Sequence, residues 1–281
     1  MTDPAAPRGI LVITGTGTGV GKTVVTAAVA VLAQARGARV AVVKPAQTGS
    51  DAADAPDVET VERLSGVTDT HEFARFPDPL SPEAAARTSG LPPLDMDGAV
   101  DYVKKLARSR DLVLVEGAGG LLVRYDPAGR TIASLASALG APVLVVTAPG
   151  LGTLNHTALT CEALAMRGLR RYGVVIGSWP RQPGLAELEN LADLRAVAGE
   201  PLAGVLPEGA GILDRAAFLA MARVALAPHL GGERPQGLWE PEPGAAHPLG
   251  VTRARLRTLC DHFGVRFGRF VHARSVRSGR Q

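Results

Sequence analysis

The sequence predicts an α/β fold in which a mostly parallel sheet is covered by helices on both faces. Three observations support this prediction: continuous apolar runs rich in Val and Ile, helix patterns that alternate with those runs, and a glycine-rich turn between the first run and the first helix. Continuous apolar runs are typical of strands buried on both faces, and strands that alternate with helices form parallel sheets. We expect one domain over residues 1–230 and a separate tail over residues 231–281.

The predicted elements follow the chain in order. Gly9–Thr14, GILVIT, predicts the first buried strand, and Lys22–Arg36 predicts a helix that ends at Gly37, because glycine readily adopts the conformation found at helix ends. Further strands are predicted over Arg39–Pro45, Asp111–Gly117, Ala141–Thr147, Arg171–Gly177 and Leu202–Glu208. Helices are predicted over Asp57–Leu64, Pro82–Ser89 and Leu94–Arg110, and helix patterns also separate the later strands.

The tail differs from the domain in composition and charge. Gly231–Gly250 is dense in Pro and Gly, which predicts a linker or disorder, and Thr252–His262 predicts one short helix. Leu249–Gln281 contains eight arginines and one acid, a charge of +7, so the net +3 of the whole chain leaves −4 elsewhere. A nucleic-acid arm and a disordered appendix both fit this tail, and we favour the appendix. The main domain itself gives no indication of nucleic-acid binding.

The composition excludes several classes of protein. The only cysteines, Cys161 and Cys260, have no metal-ligand spacing and exclude a disulfide framework. No apolar run reaches about 18 residues, which predicts no transmembrane helix. The N-terminal MTDPAAPRG lacks a signal-peptide pattern. We therefore expect a cytoplasmic protein that does not associate with membranes.

The glycine-rich turn carries the strongest chemical signal. We interpret GTGTGVGKT (Gly15–Thr23) as the phosphate-binding pattern G-x-x-x-x-G-K-[ST], because a strand precedes it and a helix follows it. In such a loop, backbone N–H groups contact phosphate oxygens, and the positive end of the helix adds attraction. Lys22 then binds the terminal phosphates and Thr23 offers its hydroxyl to Mg²⁺.

Three further residues are predicted to lie at the same edge of the sheet. Glu116 follows a buried strand, where a metal-holding acid is expected. A helix cap or a pair with a lysine is the alternative, which the following GAGG disfavours because it lets backbone approach a ligand closely. Asp57 is a weaker candidate, since it would also make a good helix cap. Lys44 ends the second strand and is one of only four lysines beside 26 arginines, which suggests that a compact point charge is wanted there. A solvated surface lysine is the alternative.

Four segments in this order and spacing resemble dethiobiotin synthetase: TGTGTGVGKT, KPAQTG, VEGAGGLLV and GLGTLNHTALT. The resemblance extends from about Gly9 to His229. It implies an ATP- and Mg²⁺-dependent ligase that joins CO₂ to 7,8-diaminopelargonic acid through a carbamate and a phosphorylated carbamate, and closes the ureido ring of dethiobiotin. This activity belongs to biotin synthesis.

The resemblance also implies the roles of particular residues. The phosphate loop is matched by Gly19, Val20, Gly21, Lys22, Thr23 and Val24; metal-binding positions are matched by Thr23, Asp57 and Glu116. Lys44 matches the catalytic lysine and Thr48 a substrate contact, while Gly117, Ala118 and Gly119 match the loop around the nucleotide and substrate. Leu206, Pro207 and Glu208 match a base-contact segment.

The family forms homodimers whose substrate site is completed across the interface. In Gly150–His156, the resemblance places Gly152, Thr153 and Asn155 beside the substrate carboxylate, whereas the alternative is an ordinary helix start with His156 packed or exposed. One departure concerns the base: Gly177 and Ser178 replace the usual Asn-Asp pair, so a preference for another nucleoside triphosphate is a live hypothesis.

Two rival interpretations use the same scaffold. An amidating synthetase needs a nucleophilic cysteine with a histidine partner, and neither Cys161 nor Cys260 is suitably placed. A membrane- or DNA-partitioning ATPase usually carries an additional lysine early in the loop, which this sequence lacks. For the ligase, we expect Lys22→Ala and Lys44→Ala to reduce turnover strongly without unfolding, since both are expected at a solvent-exposed site edge.

Overall fold

The computed structural model describes residues 6–49 and 55–233. Seven parallel strands form one sheet in the order β3-β2-β4-β1-β5-β6-β7. The strands are β1 Gly9–Gly15, β2 Val40–Thr48, β3 Thr70–Phe76, β4 Leu112–Gly120, β5 Val143–Thr147, β6 Arg171–Trp179 and β7 Gly204–Pro207. The predicted α/β class is confirmed, whereas the predicted tail from residue 234, with its helix over Thr252–His262, lies outside the described residues.

Eight α-helices lie between or after these strands within the described part of the chain. They are α1 Lys22–Ala35, α2 Asp57–Ser65, α3 Pro82–Ser89, α4 Met96–Ala107, α5 Ile132–Leu139, α6 Thr153–Met166, α7 Leu185–Ala198 and α8 Arg215–Ala225. Helix α4 is shorter than predicted at its start, because Asp95 caps it by accepting a hydrogen bond from the Gly98 N–H. None of the helices described is both long and apolar enough to cross a bilayer.

Successive side chains of a strand point to opposite faces of the sheet, so the core is divided between the two faces. On β1, Leu11 and Ile13 pack into the cluster with α1, α2 and α8, whereas Val12 packs into the opposite cluster with α3, α4, α5 and α7. Each of these side chains is at most 1% exposed. Because both faces are covered, apolar residues occupy consecutive positions of the central strands, as the sequence predicted.

One strand was missed. The sequence predicts six strands, and the structure adds β3, which pairs with β2 at the edge of the sheet. Its residues THEFARF are half-buried over most of their length, so it lacks the continuous apolar run that marks a central strand. An edge strand with one free side requires no such run.

Candidate nucleotide and substrate site

The glycine-rich turn joins β1 to α1 at the carboxyl edge of the sheet. Gly19 and Gly21 have φ values of 72° and 93°, a left-handed conformation that other residues rarely adopt. Lys22 is the first residue of α1, and its Nζ donates to the Gly17 carbonyl at 2.9 Å. The loop thus curls around the position where its lysine would meet a phosphate.

The assignment of the first pattern glycine was wrong by one position. Gly15 lies six residues before Gly21, and Thr16 occupies the place that G-x-x-x-x-G-K-[ST] gives to glycine. The Thr16 hydroxyl lies 3.2 Å from that of Thr147 at the end of β5. Thr16, whose hydroxyl contacts the neighbouring strand, therefore stands at the first position of the loop. The Gly-Lys-Thr end of the loop is as predicted.

Four side chains from four elements meet beside this loop. Lys44 Nζ forms ion pairs with Asp57 Oδ2 at 2.5 Å and with Glu116 Oε1 at 2.9 Å. The Thr23 hydroxyl lies 3.0 Å from Asp57 Oδ1 and 2.9 Å from Glu116 Oε1. The structure therefore brings these four residues together, because the paired segments of β2 and β4 run side by side directly before Lys44 and Glu116. The prediction that Lys44 and Glu116 end their strands was wrong, since each strand continues for four more residues.

Both lysines of the site are buried. We predicted that Lys22 and Lys44 lie at a solvent-exposed edge, and this was wrong: they are 7% and 3% exposed. Burial is the largest influence on both. It lowers the pKa of Lys22 to about 8, with a further lowering by the nearby Lys44 charge. Burial would also lower the pKa of Lys44, but the Glu116 and Asp57 carboxylates outweigh it and raise that pKa above its ordinary value.

Asp57 does not cap its helix. Pro56 occupies the cap position of α2 and Asp57 is the first helical residue, with its carboxylate directed to Lys44 and Thr23. Its N–H donates to the Gln47 side-chain oxygen at 3.2 Å. Burial raises the pKa of the Asp57 carboxyl, but Lys44 outweighs burial and holds the pKa below its usual range. Gln47 was missed because a lone glutamine near a strand end carries no local signal.

The oxygen atoms at this edge fit a magnesium ion. Asp57, Glu116 and Thr23 supply two carboxylates and a hydroxyl, and Mg²⁺ prefers oxygen ligands and usually completes its shell with waters and substrate phosphates. Glu116 Oε2 is buried without a hydrogen-bond partner, which leaves it available to a cation. Within the described residues no group of three or more His, Cys, Asp or Glu side chains adopts a metal-binding arrangement, so the protein itself would supply few of the ligands.

The last residues of β4 are held by a residue that the sequence did not indicate. Gly117, Ala118 and Gly119 were predicted to lie in a loop after the strand, but they belong to β4, and the Ala118 N–H donates to the Tyr125 hydroxyl at 2.5 Å. Tyr125 is 1% exposed, and burial raises its pKa to about 12. A tyrosine within a polar loop sequence resembles many others, so only the fold reveals this contact.

The segment before α6 is also tied down from several directions. The side-chain nitrogen of Asn190, on α7, donates to the carbonyls of Pro149 at 2.8 Å and Gly150 at 3.0 Å. The Thr153 hydroxyl donates to the Ala148 carbonyl at 2.5 Å. The Thr153 N–H, the first of α6, donates to the same Gly150 carbonyl at 3.2 Å, so the turn before α6 is fixed through several of its carbonyls.

The predicted substrate residues of this segment differ in accessibility. Gly152 caps α6 with a φ of 88°, and Asn155 and His156 are exposed. Thr153 is only 3% exposed, and the Thr147 hydroxyl lies 2.8 Å from its own. The Thr153 side chain thus serves the fold. Thr48 lies half-buried at the end of β2, on the same edge as Lys44.

The segments matched to base binding meet each other. The Glu208 N–H donates to the Trp179 carbonyl at 2.7 Å, which joins Leu206, Pro207 and Glu208 to the end of β6. A Cβ built at Gly177 would lie 2.0 Å from the Val20 carbonyl oxygen. Gly177 therefore lets the phosphate loop pack directly on β6, while Ser178 beside it is half-buried.

Comparison with known proteins gives a consistent result. The model of a family described as an AAA domain matches residues 9–213. The ATP-dependent dethiobiotin synthetase BioD of Frankia casuarinae is 63% identical over 222 residues, covering 79% of this chain and 93% of the relative. The protein of the same name from Streptomyces coelicolor is 56% identical, covering 79% and 94%. Among solved structures, Pyrococcus furiosus cell division ATPase MinD gives a TM-score of 0.46 at 21% identity, covering 89% of this chain and 99% of that one.

Proposed function

The chain belongs to the family of ATP-dependent dethiobiotin synthetases, and we propose that it closes the ureido ring of dethiobiotin from 7,8-diaminopelargonic acid, CO₂ and a nucleoside triphosphate. It is accordingly a ligase of biotin biosynthesis. The observation that carries the proposal is the buried Lys44 ammonium, held by Asp57 and Glu116 beside the phosphate loop. A partitioning switch needs only to hold and hydrolyse a nucleotide, whereas a ligase needs a second fixed cation for the group that is phosphorylated.

The reaction proceeds in three steps. One substrate amine attacks CO₂ and loses a proton to give a carbamate. A carbamate oxygen attacks the γ-phosphorus of the nucleotide, which forms a carbamic-phosphoric anhydride and releases the nucleoside diphosphate. The second amine attacks the carbonyl carbon, expels phosphate and closes the ring. Binding makes this last step intramolecular, which removes most of its entropic cost.

The residues divide this work by position. Lys22 and the loop N–H groups bind the β- and γ-phosphates, and Lys44 stabilises the charge on the carbamate and the transferred phosphoryl group. Thr23, Asp57 and Glu116 would hold Mg²⁺, which supplies charge neutralisation between the phosphates. Thr48 contacts the diamine from the same edge.

We also propose that two copies of the chain assemble. Leu151 is 91% exposed, Met166 79% and Leu159 55%, and the latter two lie on α6. Large apolar side chains clustered around one helix favour a protein partner. A second copy that covers this helix would bring Asn155 and the start of α6 to the substrate carboxylate at the interface, where the N–H groups and helix dipole favour an anion.

We place the enzyme in the cytoplasm, where nucleoside triphosphates are abundant.

The test of the reaction is product detection by mass spectrometry. The purified full chain is incubated with diaminopelargonic acid, ¹³C-bicarbonate, Mg²⁺ and ATP, and we expect dethiobiotin one mass unit heavier than the unlabelled product. Nucleotide hydrolysis without dethiobiotin would refute the proposal and leave only the scaffold.

The same assay settles the choice of base. The relatives are named as ATP-dependent, whereas Gly177 offers no side chain to read adenine. Turnover with ATP, CTP, GTP and UTP is compared at equal concentration. A strong preference for ATP would remove the hypothesis of another or a relaxed nucleotide preference, and equal turnover would support a relaxed one.

A further inference from the structure

The peptide unit between Gly117 and Ala118 is held at both of its polar ends. Its carbonyl oxygen, on Gly117, accepts a hydrogen bond from Lys44 Nζ at 3.3 Å. Its N–H, on Ala118, donates to the Tyr125 hydroxyl oxygen at 2.5 Å. A trans peptide unit is planar, so its C=O and N–H point in opposite directions. The direction of the N–H therefore fixes the direction of the C=O.

Tyr125 is a rigid anchor for this peptide. Its ring lies in the core cluster that contains α4 and α5 residues, and it is among the largest fully buried side chains. Its own N–H donates to the Arg130 carbonyl at 2.8 Å, and Asp126 beside it forms an ion pair with Arg130 at 2.5 Å. A tightly packed ring with fixed backbone leaves the phenolic oxygen little freedom to move.

The carbonyl completes the surroundings of the Lys44 ammonium. An ammonium group has three N–H donors, and Lys44 directs them to Asp57 at 2.5 Å, Glu116 at 2.9 Å and the Gly117 carbonyl at 3.3 Å. The two carboxylates accept the shorter bonds and carry charge. The neutral Gly117 carbonyl accepts the longest of the three contacts.

We propose that Tyr125 is a positioning residue for the ring-closing reaction: through the Ala118 N–H it aims the Gly117 carbonyl at Lys44, and so fixes the orientation of the ammonium beside the phosphate loop. Without the hydroxyl, the Ala118 N–H has lost its partner, and the direction of the Gly117 carbonyl is no longer fixed from that end of the peptide. Lys44 then keeps its ion pairs with the two carboxylates and loses its third hydrogen-bond acceptor, the Gly117 carbonyl. The inference rests on the proposed function, since it assigns Lys44 to phosphoryl transfer.

The test compares two variants that each lose one phenolic hydroxyl. Tyr125→Phe removes the acceptor of the Ala118 N–H. The control, Tyr172→Phe, lies at the start of β6, far from the site, and removes a hydrogen bond of 3.2 Å from the Tyr172 hydroxyl to the His229 carbonyl. For Tyr125→Phe we expect kcat to fall about tenfold while KM for ATP changes less than about twofold, as for residues that orient a catalytic group. For Tyr172→Phe we expect wild-type kcat and KM, with Tm lowered by a similar amount in both variants.

A double-mutant cycle asks whether Tyr125 acts through Lys44. In a Lys44→Gln protein, assayed by mass spectrometry because turnover is slow, Tyr125→Phe should lower kcat less than about twofold, since the two changes then affect the same interaction. An undiminished tenfold loss in that protein would overturn the proposal. So would a wild-type kcat for Tyr125→Phe, or a loss of kcat equal to that of Tyr172→Phe.

Folding and function are separated by further measurements. Tyr125→Leu also lacks the hydroxyl and replaces Tyr125→Phe if that protein does not fold. If neither variant folds while Tyr172→Phe does, the hydroxyl is needed for the fold itself and the positioning role is refuted. If the wild-type protein forms no dethiobiotin, the proposed function fails by itself, and the same kcat ratios measured on nucleotide hydrolysis decide the role of Tyr125.

Discussion

The two edges of the sheet carry ion pairs of nearly the same length in opposite surroundings. At the carboxyl edge, Lys44 and Glu116 lie 2.9 Å apart with side chains 4% and 1% exposed. At the amino edge, Arg39 and Asp111 lie 3.0 Å apart with side chains 64% and 43% exposed. Judged by the N···O distance alone, the two ion pairs would be expected to have the same strength.

Burial makes them different kinds of interaction. The exposed pair is screened by water and contributes little to stability. The buried pair has lost its hydration, which Coulomb attraction repays only in part, so it is a poor stabiliser and is retained for another reason. Here that reason is a cation fixed beside a phosphate loop, and the charges at this edge should dominate activity.

The largest effect is expected for Lys44→Met. Loss of the ammonium should lower kcat at least about a thousandfold, because Lys44 is the group assigned to the charge on the transferred phosphoryl group. The unfolding free energy should fall by about 3 kcal/mol, since the buried Glu116 and the half-buried Asp57 lose their cation. Chemical denaturation and the mass-spectrometric assay measure the two quantities.

Added Mg²⁺ sharpens this prediction. A divalent cation that binds the two carboxylates should restore part of the lost stability in Lys44→Met, and Lys44→Met with Glu116→Gln serves as the control that removes one ligand. If the unfolding free energy of Lys44→Met equals that of the wild type, the carboxylates do not depend on the Lys44 charge for stability.

Lys22→Met should have a smaller effect on turnover and none of the cost in stability. We expect kcat/KM for ATP to fall about a hundredfold, through loss of the phosphate contact. Tm should stay the same or rise, because burial and Lys44 already disfavour the Lys22 charge in the folded protein. A marked fall in Tm would contradict this assignment.

Nucleotide affinity should depend on pH through Lys22. Its pKa of about 8 in the free protein means that the ammonium is charged below that pH and neutral above it. The phosphates raise this pKa on binding, so affinity for a non-hydrolysable ATP analogue should fall, and proton uptake should rise, as the pH increases through about 8. Calorimetry in buffers of different ionisation enthalpy measures both, and Lys22→Met should lose the dependence.

The smallest effect is expected at the amino edge. Arg39→Gln breaks the ion pair with Asp111 yet should leave kcat and KM unchanged and lower Tm only slightly, since water replaces the lost contact. Differential scanning fluorimetry and the standard assay are sufficient. A loss of activity comparable to that of Lys22→Met would end the distinction between the two edges.

Much of the fold could be predicted from the sequence, because buried parallel strands such as β1 and β5 consist of continuous apolar runs. The edge strand β3 could not, since its half-buried residues produce no such run. Within the site, Lys22, Lys44 and Glu116 were predicted from the loop and strand patterns, although both strands continue beyond Lys44 and Glu116. Asp57 was predicted only from the resemblance. Gln47, Asn190 and Tyr125 were not, because each acts through a backbone group of a distant segment.

The sequence by itself determined which residues reach the carboxyl edge of the sheet, because the order of strands, turns and helices places strand ends there whatever the details of packing. Only the tertiary structure decided how deeply they lie. Burial depends on neighbours from other elements, and it turned two lysines expected in water into enclosed charges with displaced pKa values. The tertiary structure also decided that the hydroxyl of the buried Tyr125 reaches the site, since the contact between Ala118 and Tyr125 exists only after the chain has folded.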